Sequence, residues 1–141
     1  MTDMNTSSRT LPLWLIALIA TGIGLVVNEA VAALARPFSP DLIQLAPGPV
    51  GLWTVLGVVG ATLVYAFMRR KPADLGRRFV RVAIIALLLS LIPDALIYFV
   101  EIPGFTGGTI AGVIALMALH VTTAAIAVPL LLKFAARSRQ P

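Results

Sequence analysis

Cysteine is missing from this chain, and other reactive side chains are few. The 141 residues include no cysteine, one histidine and six acidic residues. The missing cysteine excludes disulfides, thiolate metal sites and a cysteine nucleophile. Charged residues make up 12% of the chain, against about 25% in a typical soluble domain. This composition argues against a soluble globular protein.

Catalytic, nucleotide-binding and metal-binding motifs of known spacing are also missing from the sequence. A single histidine, with carboxylates that form no i,i+3 or i,i+4 ligand pair, makes a poor metal site. The hydroxyls nearest His120 are Thr122 and Thr123, which form no recognisable hydrolase arrangement. We therefore expect a non-enzymatic protein that holds no metal and no cofactor.

Long apolar runs fill most of the chain, whose hydrophobic share is 59%. Each run is long enough to cross a hydrocarbon core of about 30 Å at about 1.5 Å per helical residue. The sequence therefore predicts an all-α protein, a four-transmembrane-helix bundle that forms one membrane domain over residues 11–134. The predicted helices cover residues 11–34, 50–68, 79–100 and 109–132.

Basic residues predict the orientation of the bundle. Short loops rich in lysine and arginine face the cytoplasm, and the middle connection carries most of the basic residues: Arg69, Arg70, Lys71, Arg77, Arg78 and Arg81. With four spans, the tails 1–10 and 135–141 then also lie in the cytoplasm. A cleavable signal peptide ending near residues 33–35 is less favoured, because its apolar stretch exceeds the usual core. The expected location is a bacterial plasma membrane, with the chain as a multi-pass protein.

The same six basic residues allow two interpretations. They serve orientation alone, or they also contact anionic lipids on the cytoplasmic side, at about 1 kcal/mol per residue near the surface. The loop that carries the cluster is too short to form a nucleic-acid-binding module, so we expect no nucleic-acid partner.

The first outer connection carries a helix-start pattern. Ser39 is a preferred N-cap residue, Pro40 suits the first helical position and Asp41 adds an acid to the first turn. The pattern predicts a short interfacial helix in this loop.

Small residues predict how the helices pack. Helix association in lipid depends on close packing and interhelical hydrogen bonds. Gly24 and Asn28 share one face of the first helix, and Gly108 and Gly112 form a Gly-x-x-x-Gly pattern at the start of the fourth. These faces pack either within one chain or between chains, and the sequence leaves both possibilities open.

Polar residues at membrane depth are the candidates for chemistry. A buried charge there costs at least about 2.5–3.5 kcal/mol, so Asp94 must be protonated, paired or exposed to a wet cavity. We expect an outward-facing polar pocket suited to a proton or a cation. Its candidate members are Asn28, Glu29, Asp94, Glu101 and His120.

Structural explanations compete with this pocket. Asn28 also suits a plain interhelical hydrogen bond, and Glu29 can form a salt bridge with Arg36. Helical rotation turns His120 well away from the stripe of Gly112. If that stripe faces the core, His120 points elsewhere, toward a partner subunit for example.

Two patches resemble a known family. The segment 45–50 (LAPGPV) and the segment 114–120 (IALMALH), which continues to Pro129, are similar to those of small bacterial four-helix membrane proteins of an actinobacterial type. That family has no known function. The resemblance implies the four-span layout and supplies no activity and no site.

Three functions are compatible with this sequence. The favoured one is a small non-enzymatic membrane protein, an accessory subunit or a homo-oligomer that packs through small-residue faces. The alternative is a small proton- or cation-coupled carrier that uses Asp94 and Glu29. A membrane enzyme acting on a lipid-soluble substrate through His120 and Asp94 is the third.

Overall fold

A computed structural model describes residues 10–71, 73–100 and 108–135, and these form an all-α fold, as predicted. All four helices are long and apolar enough to cross a membrane. The predicted tails lie outside the described residues, apart from Thr10 and Ala135. The helices are α1 (Leu13–Ala35), α2 (Pro47–Met68), α3 (Leu75–Phe99) and α4 (Ile110–Phe134).

Two helices begin earlier than their apolar runs. Helix α2 starts at Pro47, because proline is tolerated in the first helical turn, where its missing N–H has no helical partner to lose. Helix α3 starts at Leu75 and so includes Arg77 and Arg78. Hydropathy marks only the part of a helix that suits hydrocarbon, whereas the backbone hydrogen bonds continue beyond it.

Helix α4 is the centre of the bundle. It packs against α1, α2 and α3, whereas α3 rests mainly on α4 and makes little contact with α2. Polar and small residues form the inner face of α1, including Ala20, Gly24, Asn28 and Ala32. Because α2 and α3 are barely joined, a groove separates them.

Both described ends of the chain lie beside each other. The backbone N–H of Leu11 donates to the carbonyl of Phe134 at 2.8 Å. Tyr65 and Phe79 pack nearby in an edge-to-face arrangement, with ring centroids 5.1 Å apart, within a buried cluster that contains Ile16 and Leu131. We call this end, which also carries residues 69–71 and 73–81, the basic end, and the other the opposite end.

The first connection at the opposite end differs from its prediction. Two 3₁₀ turns, Arg36–Phe38 and Ile43–Leu45, replace the expected interfacial helix. The hydroxyl of Ser39 forms a hydrogen bond with the hydroxyl of Thr109, the residue before α4, so it caps no helix. Leu42 and Leu45 are buried. The connection therefore folds onto the end of the bundle.

Candidate functional site

A groove of about 630 Å³ runs between α2, α3 and α4. Its volume lies within the range of small-molecule sites, roughly 300–1,000 Å³. The lining extends from Phe79 at the basic end to Ile97 at the opposite end. Gly57 and Gly60 of α2 and Ala86 of α3 line it and are exposed. The groove therefore opens sideways, toward the lipid, between α2 and α3.

An acid and a histidine meet inside this groove. Oδ2 of Asp94 on α3 lies 3.0 Å from Nδ1 of His120 on α4, with 9% and 33% of the two side chains exposed. The same Nδ1 lies 3.0 Å from the carbonyl oxygen of Leu116. A carbonyl only accepts hydrogen bonds, so this contact is a hydrogen bond when Nδ1 carries the hydrogen.

Neither polar group is fully used. Oδ2 of Asp94 is buried and has no well-aligned hydrogen-bond donor among the described residues, because the Nδ1 hydrogen bond runs to Leu116. Nε2 of His120 has no hydrogen-bond partner within the described part of the chain. An unsatisfied buried carboxylate oxygen is costly in a low-dielectric interior. The pair therefore has spare capacity for a proton or a ligand.

The charge of the groove follows from the same two residues. No lysine or arginine lines it within residues 10–71, 73–100 and 108–135, and the titratable groups among the lining residues are Asp94 and His120. With a neutral imidazole and an ionised carboxylate, the pair carries a charge of −1. One more proton brings it to zero. A buried net charge is expensive in a membrane, so binding a proton or a cation stabilises this site.

Asn28 forms a second polar cluster, which is closed. Its Nδ2 donates to Oγ1 of Thr54 on α2 and to Oγ1 of Thr123 on α4, each at 2.8 Å, and its Oδ1 accepts from the hydroxyl of Thr122. Thr54 and Thr123 in turn donate to backbone carbonyls of their own helices. Asn28 is 1% exposed. The amide of Asn28 thus joins α1 to α2 and α4 through interhelical hydrogen bonds.

The five residues of the predicted pocket are divided by the structure. Asn28, Asp94 and His120 line the groove, whereas Glu29 does not. Glu29 is paired with Arg36, with 2.8 Å between Oε2 and Nη2, and both side chains are about one-third exposed. Glu101 lies outside the described residues.

His120 faces a neighbouring helix of its own chain. Helical rotation separates it from Gly112, but the face on which it lies is turned toward α3 and Asp94. A helix with a single inward face on the side of Gly112 would turn His120 out of the bundle. Because α4 has three helical neighbours, several of its faces lie inside the bundle.

The predicted packing glycines also make contacts within the chain. A Cβ added at Gly24 would lie 3.0 Å from Thr54, and one at Gly108 would lie 2.8 Å from Ile97. At Gly112 it would lie 2.6 Å from both Leu42 and Ser39. These faces are therefore filled from inside, and contacts with another chain would need other surfaces.

The basic residues of the middle connection lie at the basic end, and most are exposed. Nη2 of Arg77 lies 3.6 Å from Oδ1 of Asp74, and the guanidinium of Arg70 lies over the ring of Phe67. Arg69 is half-buried. The arrangement leaves a positive surface at this end, and lipid contact stays a prediction.

Sequence reasoning missed two features of the site. One is the partners of Asn28, because three threonines on two other helices carry no joint signal. The other is the groove. Gly57 and Gly60 at i,i+3, with Ala83 and Ala86 at the same spacing on α3, were its available signal. Small residues on facing helices usually indicate close packing. Gly57 does pack closely, since a Cβ there would lie 3.0 Å from Thr123, whereas Gly60 has no atom within 4 Å of an added Cβ and leaves a space.

Comparison with known proteins places the chain in a family without assigning an activity. No curated protein matches it, and no solved structure does. A family model does match, over residues 8–137. This match confirms the resemblance to a family of unknown function, while the actinobacterial origin stays a prediction. The chain belongs to the family of unknown function DUF6069.

Proposed function

We propose that this membrane protein is a small, non-enzymatic, proton-coupled carrier. The observation that carries the proposal is the pair of Asp94 and His120, buried beside a groove that opens toward lipid. Ionisable residues inside a membrane are expensive, and they commonly mark proton relays and ion pathways. The unsatisfied Oδ2 of Asp94 supports the same role.

Coupling follows from charge balance. The pair binds one proton and becomes neutral, or it releases that proton and binds a cation with the same total charge. Both occupied states avoid a buried charge of −1, whereas the empty deprotonated state does not. If the site can change the side of the membrane to which it opens only while it is neutral, it must return with either a proton or a cation bound. The protein then exchanges a cation for a proton.

The packing of α3 suits a moving part. It contacts α2 little, and Pro93 lies within it, next to Asp94. Proline has no N–H, so the carbonyl of Leu89 lacks its helical partner and the helix bends more easily there. A small shift of α3 against α4 would change the access of Asp94 to the groove.

Proton movement across a reconstituted membrane tests the proposal. Vesicles carrying the purified protein and an enclosed pH-sensitive dye are given external Na⁺, K⁺ or benzyltrimethylammonium in separate runs. At least one cation gradient is expected to drive protons out of the vesicles. Asp94→Asn is expected to abolish this movement, because the amide cannot exchange a proton.

Asp41→Asn is the matched control, since it makes the same chemical change in an exposed loop residue. Its proton movement is expected to equal that of the unaltered protein. Equal fluxes for Asp94→Asn and the unaltered protein would contradict the proposal, as would the lack of protein-dependent flux with all three cations.

Location and orientation are part of the same proposal. The basic end faces the cytoplasm of a bacterium and contacts anionic lipids, and both termini are cytoplasmic. The positive surface at that end supports this orientation.

Cysteine labelling tests the orientation. Because the chain contains no cysteine, a single introduced cysteine is its only thiol. A membrane-impermeant maleimide should label Asp41→Cys in intact cells, and Lys71→Cys only after permeabilisation; the reverse pattern would invert the topology.

A second function, an accessory subunit or a homo-oligomer, is favoured by the outer surface of α3. Ile84, Ile85, Leu88 and Leu89 are more than half exposed, although lipid covers such a surface equally well. Gentle purification of a tagged copy from its host, with native mass determination, distinguishes the two. A stoichiometric partner or a defined oligomer would support this function, and a lone chain would remove it.

A further inference from the structure

We infer that the groove binds a lipophilic organic cation, such as an amine or a quaternary ammonium with an apolar body. This inference rests on the proposed carrier function and names its substrate class. Its basis is the coincidence, in one cavity, of an apolar lining with a buried acid that lacks a full set of partners.

The lining requires an apolar body. Most of the groove surface comes from aliphatic and aromatic side chains, among them Val64, Val82 and Leu87. The space extends from Phe79 to Ile97 and is open to lipid along one side. A ligand enters sideways from the bilayer, without crossing a polar barrier. Apolar pockets with a few convergent polar groups are the usual form of small-molecule sites.

The polar groups select the charge of the ligand. Within the described part of the chain no lysine or arginine lines the groove, and Asp94 makes its charge −1 when His120 is neutral. An anionic headgroup would meet this carboxylate without a compensating cation. A cationic headgroup would neutralise it and would occupy the unsatisfied side of Oδ2. Charge complementarity therefore favours a cation.

An inorganic cation fits this site less well. Such ions take several oxygen ligands, typically six or more for the hard divalent ones. Among the described residues no group of three histidine, aspartate or glutamate side chains lies close enough to hold a metal ion. The amide oxygen of neighbouring Asn28 already accepts a hydrogen bond from the hydroxyl of Thr122. An organic cation, whose charge is surrounded by its own apolar groups, does not need several oxygen ligands.

Trp53 adds a second feature that suits cations. It lines the groove and is 57% exposed. The face of an indole ring attracts organic cations, including quaternary ammonium groups. A cation that enters from lipid meets this ring on the lining of the groove and the carboxylate of Asp94 deeper in the bundle.

The exchange is balanced in charge and protons. In the protonated state, the pair of Asp94 and His120 holds one extra proton and has no net charge. Arrival of the organic cation releases that proton to water, and the carboxylate pairs with the cation. No bond other than the one to the proton is made or broken.

Two probes of equal shape and opposite charge test the inference. Tetraphenylphosphonium and tetraphenylborate are each titrated into the purified full-length protein in detergent, with heat and released protons recorded. The phosphonium is expected to bind about tenfold or more tightly than the borate. It is expected to release about one proton per site and to bind more tightly as the pH rises.

Matched variants tie this binding to the groove. Asp94→Asn is expected to abolish proton release, with Asp41→Asn as the control. Ala86→Phe places a ring in the groove and should weaken phosphonium binding about tenfold or more. Ile85→Phe, on an exposed position that does not line the groove, should not. Far-UV circular dichroism confirms that each variant is folded.

The outcomes separate this inference from the carrier proposal. Equal binding of both probes, or phosphonium binding unaffected by Ala86→Phe and by Asp94→Asn, overturns the inference. If Na⁺ or K⁺ drives Asp94-dependent proton movement in vesicles while the phosphonium does not bind, the carrier stands and the substrate class is wrong. If the phosphonium binds and releases a proton, but no cation drives proton movement in vesicles, the binding site is supported and the carrier function is contradicted.

Discussion

Two polar regions lie in the same bundle, and they differ in how completely their hydrogen bonds are satisfied. Around Asn28, both amide donors and the amide oxygen have partners on other helices. At Asp94, the buried Oδ2 lacks a well-aligned donor among the described residues, and His120 keeps Nε2 unpaired. Satisfied polar networks rigidify a core, whereas unsatisfied ones are costly unless a ligand or proton completes them.

The difference also follows the packing of the helices. The Asn28 cluster lies where α1, α2 and α4 meet closely, and a Cβ at Gly24 would lie 3.0 Å from Thr54 there. Both clusters line the groove, and the acid–histidine pair lies between α3 and α4 with the unsatisfied Oδ2 of Asp94. The closed region holds the bundle together. The open region has room for a ligand, and we assign the function to it.

Removing the amide of Asn28 should have the largest effect on stability. Asn28→Leu deletes the hydrogen bonds that join three helices, and we expect a loss of about 1–3 kcal/mol in the free energy of unfolding. SDS titration in mixed micelles, followed by circular dichroism, measures it. Val26→Leu, at a lipid-facing position, is the control. An unchanged free energy of unfolding would show that the closed cluster is dispensable.

The substitution Gly112→Ala tests whether the close packing seen around Asn28 continues to the opposite end of the bundle. The new Cβ would meet Leu42 and Ser39 at 2.6 Å, and such overpacking costs about 1–3 kcal/mol, offset by about 1 kcal/mol of helix propensity. We expect a net loss of up to about 2 kcal/mol. Gly22→Ala has no atom within 4 Å of its Cβ and should be neutral or stabilising. Equal effects of the two changes would contradict the packing.

A smaller effect is expected when one donor of the closed cluster is removed. Thr122→Val deletes the hydrogen bond to Oδ1 of Asn28 and should cost about 0.5–1.5 kcal/mol. The control is Thr62→Val, since Thr62 donates to the carbonyl of Val58 in its own helix. The same SDS titration compares them. If Thr62→Val costs as much as Thr122→Val, the interhelical bond adds nothing.

The four helices could be predicted from the sequence because run length and hydropathy act locally. The pairing of Glu29 with Arg36 was also accessible, since the two residues lie seven positions apart at one helix end. The first connection could not be predicted in the same way. Its Ser39 and Pro40 favour a helix start locally, but contact of Ser39 and Leu42 with the bare backbone at Gly112 overrides that preference.

The sequence placed Asp94 and His120 in one predicted pocket, but the shape of the groove and the direct contact of the two side chains were beyond it for a related reason. Helical periodicity assigns each residue a face, but it does not say which helix that face meets. Since α4 meets three helices, the faces of Gly112 and His120 are both used. The loose fit of α2 on α3 depends on the whole bundle, so the small residues Gly57, Gly60 and Ala86 could be noticed in the sequence but indicated close packing rather than a cavity.

Cation-driven proton movement in vesicles tests the central comparison most directly, when Asp94→Asn and Asn28→Leu are measured beside the unaltered protein and Asp41→Asn. The account predicts that Asp94→Asn loses the flux, while Asn28→Leu retains it per folded molecule. If Asp94→Asn retains the flux, or if folded Asn28→Leu loses it as completely as Asp94→Asn does, the division into a structural and a functional polar region is wrong.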